Sequence, residues 1–191
     1  SRSVKVVIDQ AAGIKNPGPD TYKLSTYTSA DPNPVDSKKY TIAGSSVSDV
    51  TVAVQPPVIG EPAGYEISFK TSAGGSLEGD SDTITITFPR GTTVPESISR
   101  SDITVNDETL DSRSISISGR KITFRVPSEV TIGNNRKVTV VFKDNAGIIN
   151  PESTGDYRLE VATSRDSIAE TSERYTISGG SAQSAAVNVS P

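Results

Sequence analysis

Apolar and polar residues alternate through most of the chain, and alternation marks a strand with one dry face and one wet face. The clearest case is TITITF (83–88), which sets Ile84, Ile86 and Phe88 against Thr83, Thr85 and Thr87. The same period predicts strands at Val4, Val6 and Ile8, at Tyr22, Leu24 and Thr26, through KKYTIAG (38–44), and at Val50, Val52 and Val54. It continues at Tyr65, Ile67 and Phe69, at Ile103 and Val105, then at Val138, Val140 and Phe142, at Leu159 and Val161, and at Tyr175 and Ile177. SISIS and KITFRV flank Gly119-Arg120, a two-residue hairpin signal.

Gly, Pro and small polar residues fill the intervals: AAGIKNPGPD (11–20), ADPNPVD (30–36), Pro56-Pro57, SAGGSLEGDSD (72–82) and VPSEVTIGNN (126–135). One short helical turn is expected over 95–99, because Pro95 suits a first helical position and Glu96 a first turn. Short strands at this spacing, without an amphipathic helix, predict an all-β chain built as an antiparallel β-sandwich, with a barrel as the alternative.

Residues 2–44 return at 136–179. With one residue of gap between the Asn-Pro and the Tyr, about 19 of some 43 positions are identical. The spacing predicts a tandem repeat of about 135 residues. On that reading, residues 1–46 are the C-terminal half of one unit and 47–180 are a complete unit. Residues 181–191 then begin a third, with Val187, Val189 and Pro191 matching Val52, Val54 and Pro56. An isolated half leaves Val4, Val6, Ile8, Tyr22 and Leu24 without a partner sheet. Either it exchanges strands with a neighbour, or the cut lies elsewhere, with 1–127 a permuted sandwich and 128–191 a second, partial unit.

The 191 residues carry a net charge of −4 with both signs interspersed, so no basic patch points to nucleic acid. Cys, Met, Trp and His are absent. Disulfides and Cys-type zinc sites are thereby excluded, and the usual general base is missing. No apolar run of membrane-spanning length occurs, and no signal peptide or initiator Met is present. The chain reads as a piece of a longer precursor.

Candidate chemistry is sparse. LEGDSD (77–82) sets Glu78, Asp80 and Asp82 at alternate positions around Gly79, hard oxygens that suit calcium, although the full EF-hand spacing is missing. These three are the candidate metal ligands; no other cofactor is expected. Asp31 and Asp166 both follow Thr-Ser and are expected to cap turns through their side chains. The motif AGI-x-NP at 12–17 and 146–151 reads as turn chemistry. Tyr22, Tyr40, Tyr157 and Tyr175 read as half-buried strand residues, the other option being a carbohydrate platform. A Lys–Asn isopeptide crosslink has one candidate in Lys5, whose counterpart is Thr139 and which lies off the Val4/Val6 face. Asn188-Val189-Ser190 is a formal glycosylation sequon. No G-x-S-x-G elbow, P-loop or metal-binding His pair is present, and no enzyme is expected.

The runs GYEISFKTSAGGSLEGDSDTITITFPRGTTVP and VTVVFKDNAGIINPESTGDYRLEVATSRD resemble the long tandem repeats of bacterial cell-surface and S-layer-associated proteins, which are Ig-like or fibronectin-like sandwiches. The resemblance covers nearly the whole chain and carries no catalytic residues. It implies an extracellular, cell-surface, multi-domain parent. The expected function is a non-catalytic structural or spacer module, partnered by neighbouring repeats and assembling in one variant by strand exchange with itself. An adhesin or carbohydrate-binding module, partnered by cell-wall or host glycan, and an accessory domain of a surface hydrolase are the alternatives.

Overall fold

A computed structural model describes residues 3–14, 16–111 and 115–180. The chain divides into two compact units, Ser1–Gly44 and Ser45–Pro191.

Among its described residues the first unit holds four short strands: β1 (Asp20–Tyr22), β2 (Ser25–Thr26), β3 (Val35–Asp36) and β4 (Tyr40–Ile42). β1 pairs antiparallel with β4, and β2 with β3. Among its described residues none is buried. The strand expected at Val4, Val6 and Ile8 does not form; residues 3–9 carry no regular structure, and all three side chains are exposed. Alternation marks which face turns inward, but a strand also needs a ladder partner for its backbone. No described strand of this unit pairs with residues 3–9.

The second unit runs through β5 (Ser48–Gln55), β6 (Gly64–Lys70), β7 (Leu77–Glu78), β8 (Thr83–Thr87), β9 (Ile103–Val105), β10 (Glu108–Thr109) and β11 (Ile115–Ser118). It continues with β12 (Lys121–Arg125), β13 (Thr131–Ile132), β14 (Lys137–Phe142), β15 (Gly155–Tyr157), β16 (Glu160–Thr163), β17 (Glu170–Thr171) and β18 (Tyr175–Ile177). One sheet has the order β10-β9-β14-β6-β5 and the other β11-β12-β8-β16-β17. Both are antiparallel throughout. Taken in chain order, β5-β6-β14-β9 is the A-B-E-D sheet of an Ig-like sandwich, and β8-β16-β17 is its C-F-G sheet. The β11–β12 hairpin is an addition that widens the second sheet beyond β8.

The alternating residues meet where their period places them. Tyr65, Ile67, Phe69, Val138, Val140 and Phe142 face Ile84, Ile86, Phe88, Ile122, Phe124 and Val161, all buried. The aromatic rings pack edge to face: Tyr65–Phe88 at 5.1 Å and 86°, Phe88–Phe142 at 5.7 Å and 71°, Phe124–Phe142 at 6.0 Å and 82°. This geometry sets the positive ring edge against the negative face. Thr83, Thr85 and Thr87 stay half-exposed on the wet side. β5 stops at Gln55, before Pro56-Pro57. Gly119 takes φ +58°, as the first central position of a II′ hairpin requires.

The helical turn expected over 95–99 is absent. Thr93 is held extended by a reciprocal pair of backbone hydrogen bonds with Ile149, and Ser99 is also extended. The turn forms later, as 3-10 helix at Arg100–Asp102. The tail with its sequon and its match to 52–56 lies outside the described residues.

Candidate functional site

β7 ends at Glu78, and the chain reaches β8 through residues 79–82. Gly79 passes so close to residues 127–128 that a Cβ there would lie 2.5 Å from the Pro127 carbonyl oxygen and 2.4 Å from that of Ser128. Asp80 takes φ +58°; its N–H donates to the Val126 carbonyl, and its own carbonyl accepts from Arg125 at 2.6 Å. These contacts tie the acidic loop down through its backbone.

The three candidate calcium ligands have unlike surroundings. Glu78 and Asp80 are exposed, whereas Asp82 is buried. Asp82 Oδ2 accepts from the Glu78 N–H at 2.9 Å, and Oδ1 accepts from Ser164 Oγ at 2.7 Å and lies 2.8 Å from Arg165 Nε. Burial alone pushes this carboxyl up. The hydrogen bonds from Glu78, Ser164 and Arg165, with the Arg165 charge, outweigh burial and hold it below the ordinary carboxylate range. Both oxygens of Asp82 are therefore engaged: Oδ2 closes the loop back onto the end of β7, and Oδ1 joins it to the turn after β16. Among the described residues no three His, Cys, Asp or Glu side chains converge as a cation site.

Two further buried polar groups also brace loops. Asn150, in the second AGI-x-NP motif, donates from Nδ2 to the Pro56 and Val58 carbonyls, both at 2.8 Å, and its Oδ1 accepts from the Tyr65 hydroxyl at 2.6 Å. Burial pushes the Tyr65 phenol far above its usual range, so it remains a donor. Asp166 accepts at Oδ2 from the Ser72 N–H at 3.0 Å, while its buried Oδ1 has no partner among the described residues.

The turn at Asp166 corrects one expectation. The capping side chain is that of Thr163, whose Oγ1 accepts from the Asp166 N–H at 2.8 Å; the same bond joins Thr28 and Asp31 at 2.9 Å. An ST turn of this kind was available from the Thr of Thr-Ser-x-Asp. Nothing in the sequence distinguished the buried Asp166 from the exposed Asp31.

The likeness of the two similar segments extends to geometry. β1 and β4 pair Asp20 with Ile42, as β15 and β18 pair Gly155 with Ile177. Ser37 Oγ accepts from the Leu24 N–H at 3.0 Å, as Ser172 Oγ does from Leu159 at 3.1 Å. The Tyr22 hydroxyl donates to the Gly18 carbonyl and that of Tyr157 to Ser153. Tyr22 and Tyr40 stand 6.2 Å apart at 38°, Tyr157 and Tyr175 6.3 Å apart at 35°. Gly13 and Gly147 take φ +69° and +74° after matching 3-10 turns, Gln10–Ala12 and Asp144–Ala146. Burial separates the segments. Tyr22 and Tyr157 are half-buried and Tyr175 is buried, whereas Tyr40 is exposed, so the expectation of half-buried strand rings fails for Tyr40. Lys5, the candidate for the isopeptide crosslink, is exposed, and no lysine is buried among the described residues.

The wet side of the second sheet carries a shallow groove of about 500 Å³ lined by Thr83, Thr85, Thr87, Lys121, Glu160 and Ala162 among others, with no aromatic ring in its lining. A platform on which a sugar ring stacks is missing there.

No protein-family model matches the chain, and no curated protein matches it in sequence. Solved structures similar to it include a bacterial hydrophobin, BslA, at 12% identity and TM-score 0.45, covering 74% of this chain and 100% of that one. BcpA, the major pilin subunit of Bacillus cereus, is 8% identical with TM-score 0.41, over 78% of this chain and 50% of that one. The Actinomyces fimbrial adhesin FimA is 13% identical with TM-score 0.31, over 74% and 52%. At these scores none of the three bears on function.

Proposed function

We propose that the chain is a non-catalytic structural and spacer module of a multi-domain extracellular surface protein. The observation that supports it is the use of the buried polar groups: Asp82, Asn150 and Asp166 each tie one loop to another. A fold that spends its buried polar groups on bracing loops suits a load-bearing link, and successive sandwiches joined by short segments make a semi-rigid rod.

Pulling on the full chain tests this reading. The second unit is expected to open in one event that lengthens the chain by on the order of 45–50 nm, at ~3.6 Å per residue, and a glycan array is expected to show no saturable binding. Saturable glycan binding overturns the spacer reading in favour of an adhesin. Calcium at Glu78, Asp80 and Asp82 is a subsidiary proposal: a higher melting temperature in calcium than in chelator supports it, and equal temperatures remove it.

A further inference from the structure

We infer that residues 3–44 are the second half of a β-sandwich, and that the surface they expose is built to take a first-half segment of the kind formed by residues 45–135. Val4, Val6, Ile8 and Leu24 are 86%, 80%, 64% and 60% exposed, whereas their counterparts Val138, Val140, Phe142 and Leu159 are each 0% exposed. The side chains are the same or nearly so; what differs is the cover. Val138 lies opposite Phe69, Val140 between Ile67 and Val105, and Phe142 between Tyr65 and Ile103. All of that cover comes from the first half of the second unit.

The parts of residues 3–44 that need no cover are already in place: both two-stranded ladders, the 3-10 turn and the Tyr22–Tyr40 pair. Among the described residues, 3–9 lack the strand that their counterpart, the central strand β14, forms. A surface otherwise organised in advance loses little entropy when a partner docks.

The occupant is an unpaired first half. A second intact copy offers no vacancy, because its β6 and β9 already hold its own β14 through a covalent connection, at high effective concentration. The inference is independent of the spacer reading, since a glycan-binding array would need the same completion.

The test is a chain in which a further copy of residues 45–135 is joined directly ahead of Arg2, compared with the original chain by hydrogen exchange. Amides of residues 4–8 are expected to slow by about a thousand-fold or more, to the level of residues 138–142. Val6→Asp in the extended chain is expected to abolish that protection and leave residues 138–142 unchanged. Exchange at residues 4–8 as fast as in the original chain, protection that survives Val6→Asp, or insolubility of the extended chain alone each overturns the inference. So does slow exchange at residues 4–8 in the original chain at high concentration with dimer formation, which assigns the surface to a second copy.

Discussion

Arg165 Nε stands 2.8 Å from Asp82 Oδ1, and this contact joins the acidic loop before β8 to the turn after β16. The carboxylate is almost wholly enclosed, while 38% of the Arg165 side chain remains exposed. The pair is thus strengthened by burial on one side and screened by water on the other. Asp82→Asn is expected to lower unfolding free energy by about 1–3 kcal/mol, measured by urea denaturation at neutral pH.

The same carboxylate gives the chain an acid-sensitive element. Its pKa is lower in the folded protein than the unperturbed 3.8. The stability it adds is therefore fully present above the unfolded value and is lost as pH falls through the folded one. Stability of the unsubstituted chain should decline below about pH 4, and the Asp82→Asn chain should show a shallower decline there. Parallel acid limbs in the two chains would show that the carboxylate is not the group responsible.

Asn150 offers a contrast between the two similar segments. Asn150→Ala removes partners from the Tyr65 hydroxyl and from the Pro56 and Val58 carbonyls. Its expected cost is about 2–4 kcal/mol. Asn16→Ala, at the equivalent and exposed position, is expected to change stability by less than about 0.5 kcal/mol. Chemical denaturation of both variants, followed by tyrosine fluorescence, gives the comparison.

A similar contrast holds in the core. Phe142 is wholly buried against Phe88 and Phe124, so Phe142→Ala opens a cavity costing about 3–5 kcal/mol. Ile8→Ala, on the matching and uncovered position, should leave the melting temperature within about 1 °C.

Gly75 and Gly74 are adjacent and should behave differently. A Cβ on Gly75 would fall 2.1 Å from Asp166 Oδ2 and 2.8 Å from the Ser72 nitrogen, whereas one on Gly74 meets nothing within 4 Å. Gly75→Ala is expected to cost about 1–3 kcal/mol through overpacking. Gly74→Ala is expected to be neutral or stabilising by up to about 1 kcal/mol. Equal melting temperatures for the two variants would contradict the close approach of Asp166.

The alternation of TITITF and of Tyr65, Ile67 and Phe69 was sufficient to read an all-β class, the faces of the strands and most of the core. Those properties follow from a period of two and from transfer of apolar side chains out of water, both local in the chain. The Gly119 hairpin was legible for the same reason. The loop braces were not. Asp82 meets Ser164 and Arg165 from a turn more than eighty residues away, and the spacing of Glu78, Asp80 and Asp82 pointed to a cation instead. Asn150 could be recognised as a turn residue, but not as the partner of Tyr65.

Val4, Val6 and Ile8 carry the same pattern as Val138, Val140 and Phe142, and that pattern by itself determined which side chains would share the apolar face of a strand. Whether they form a strand was decided only in three dimensions. A β-strand's backbone groups are satisfied by neighbours distant in the chain, and β14 has β6 and β9 beside it, whereas residues 3–9 have no described strand paired with them.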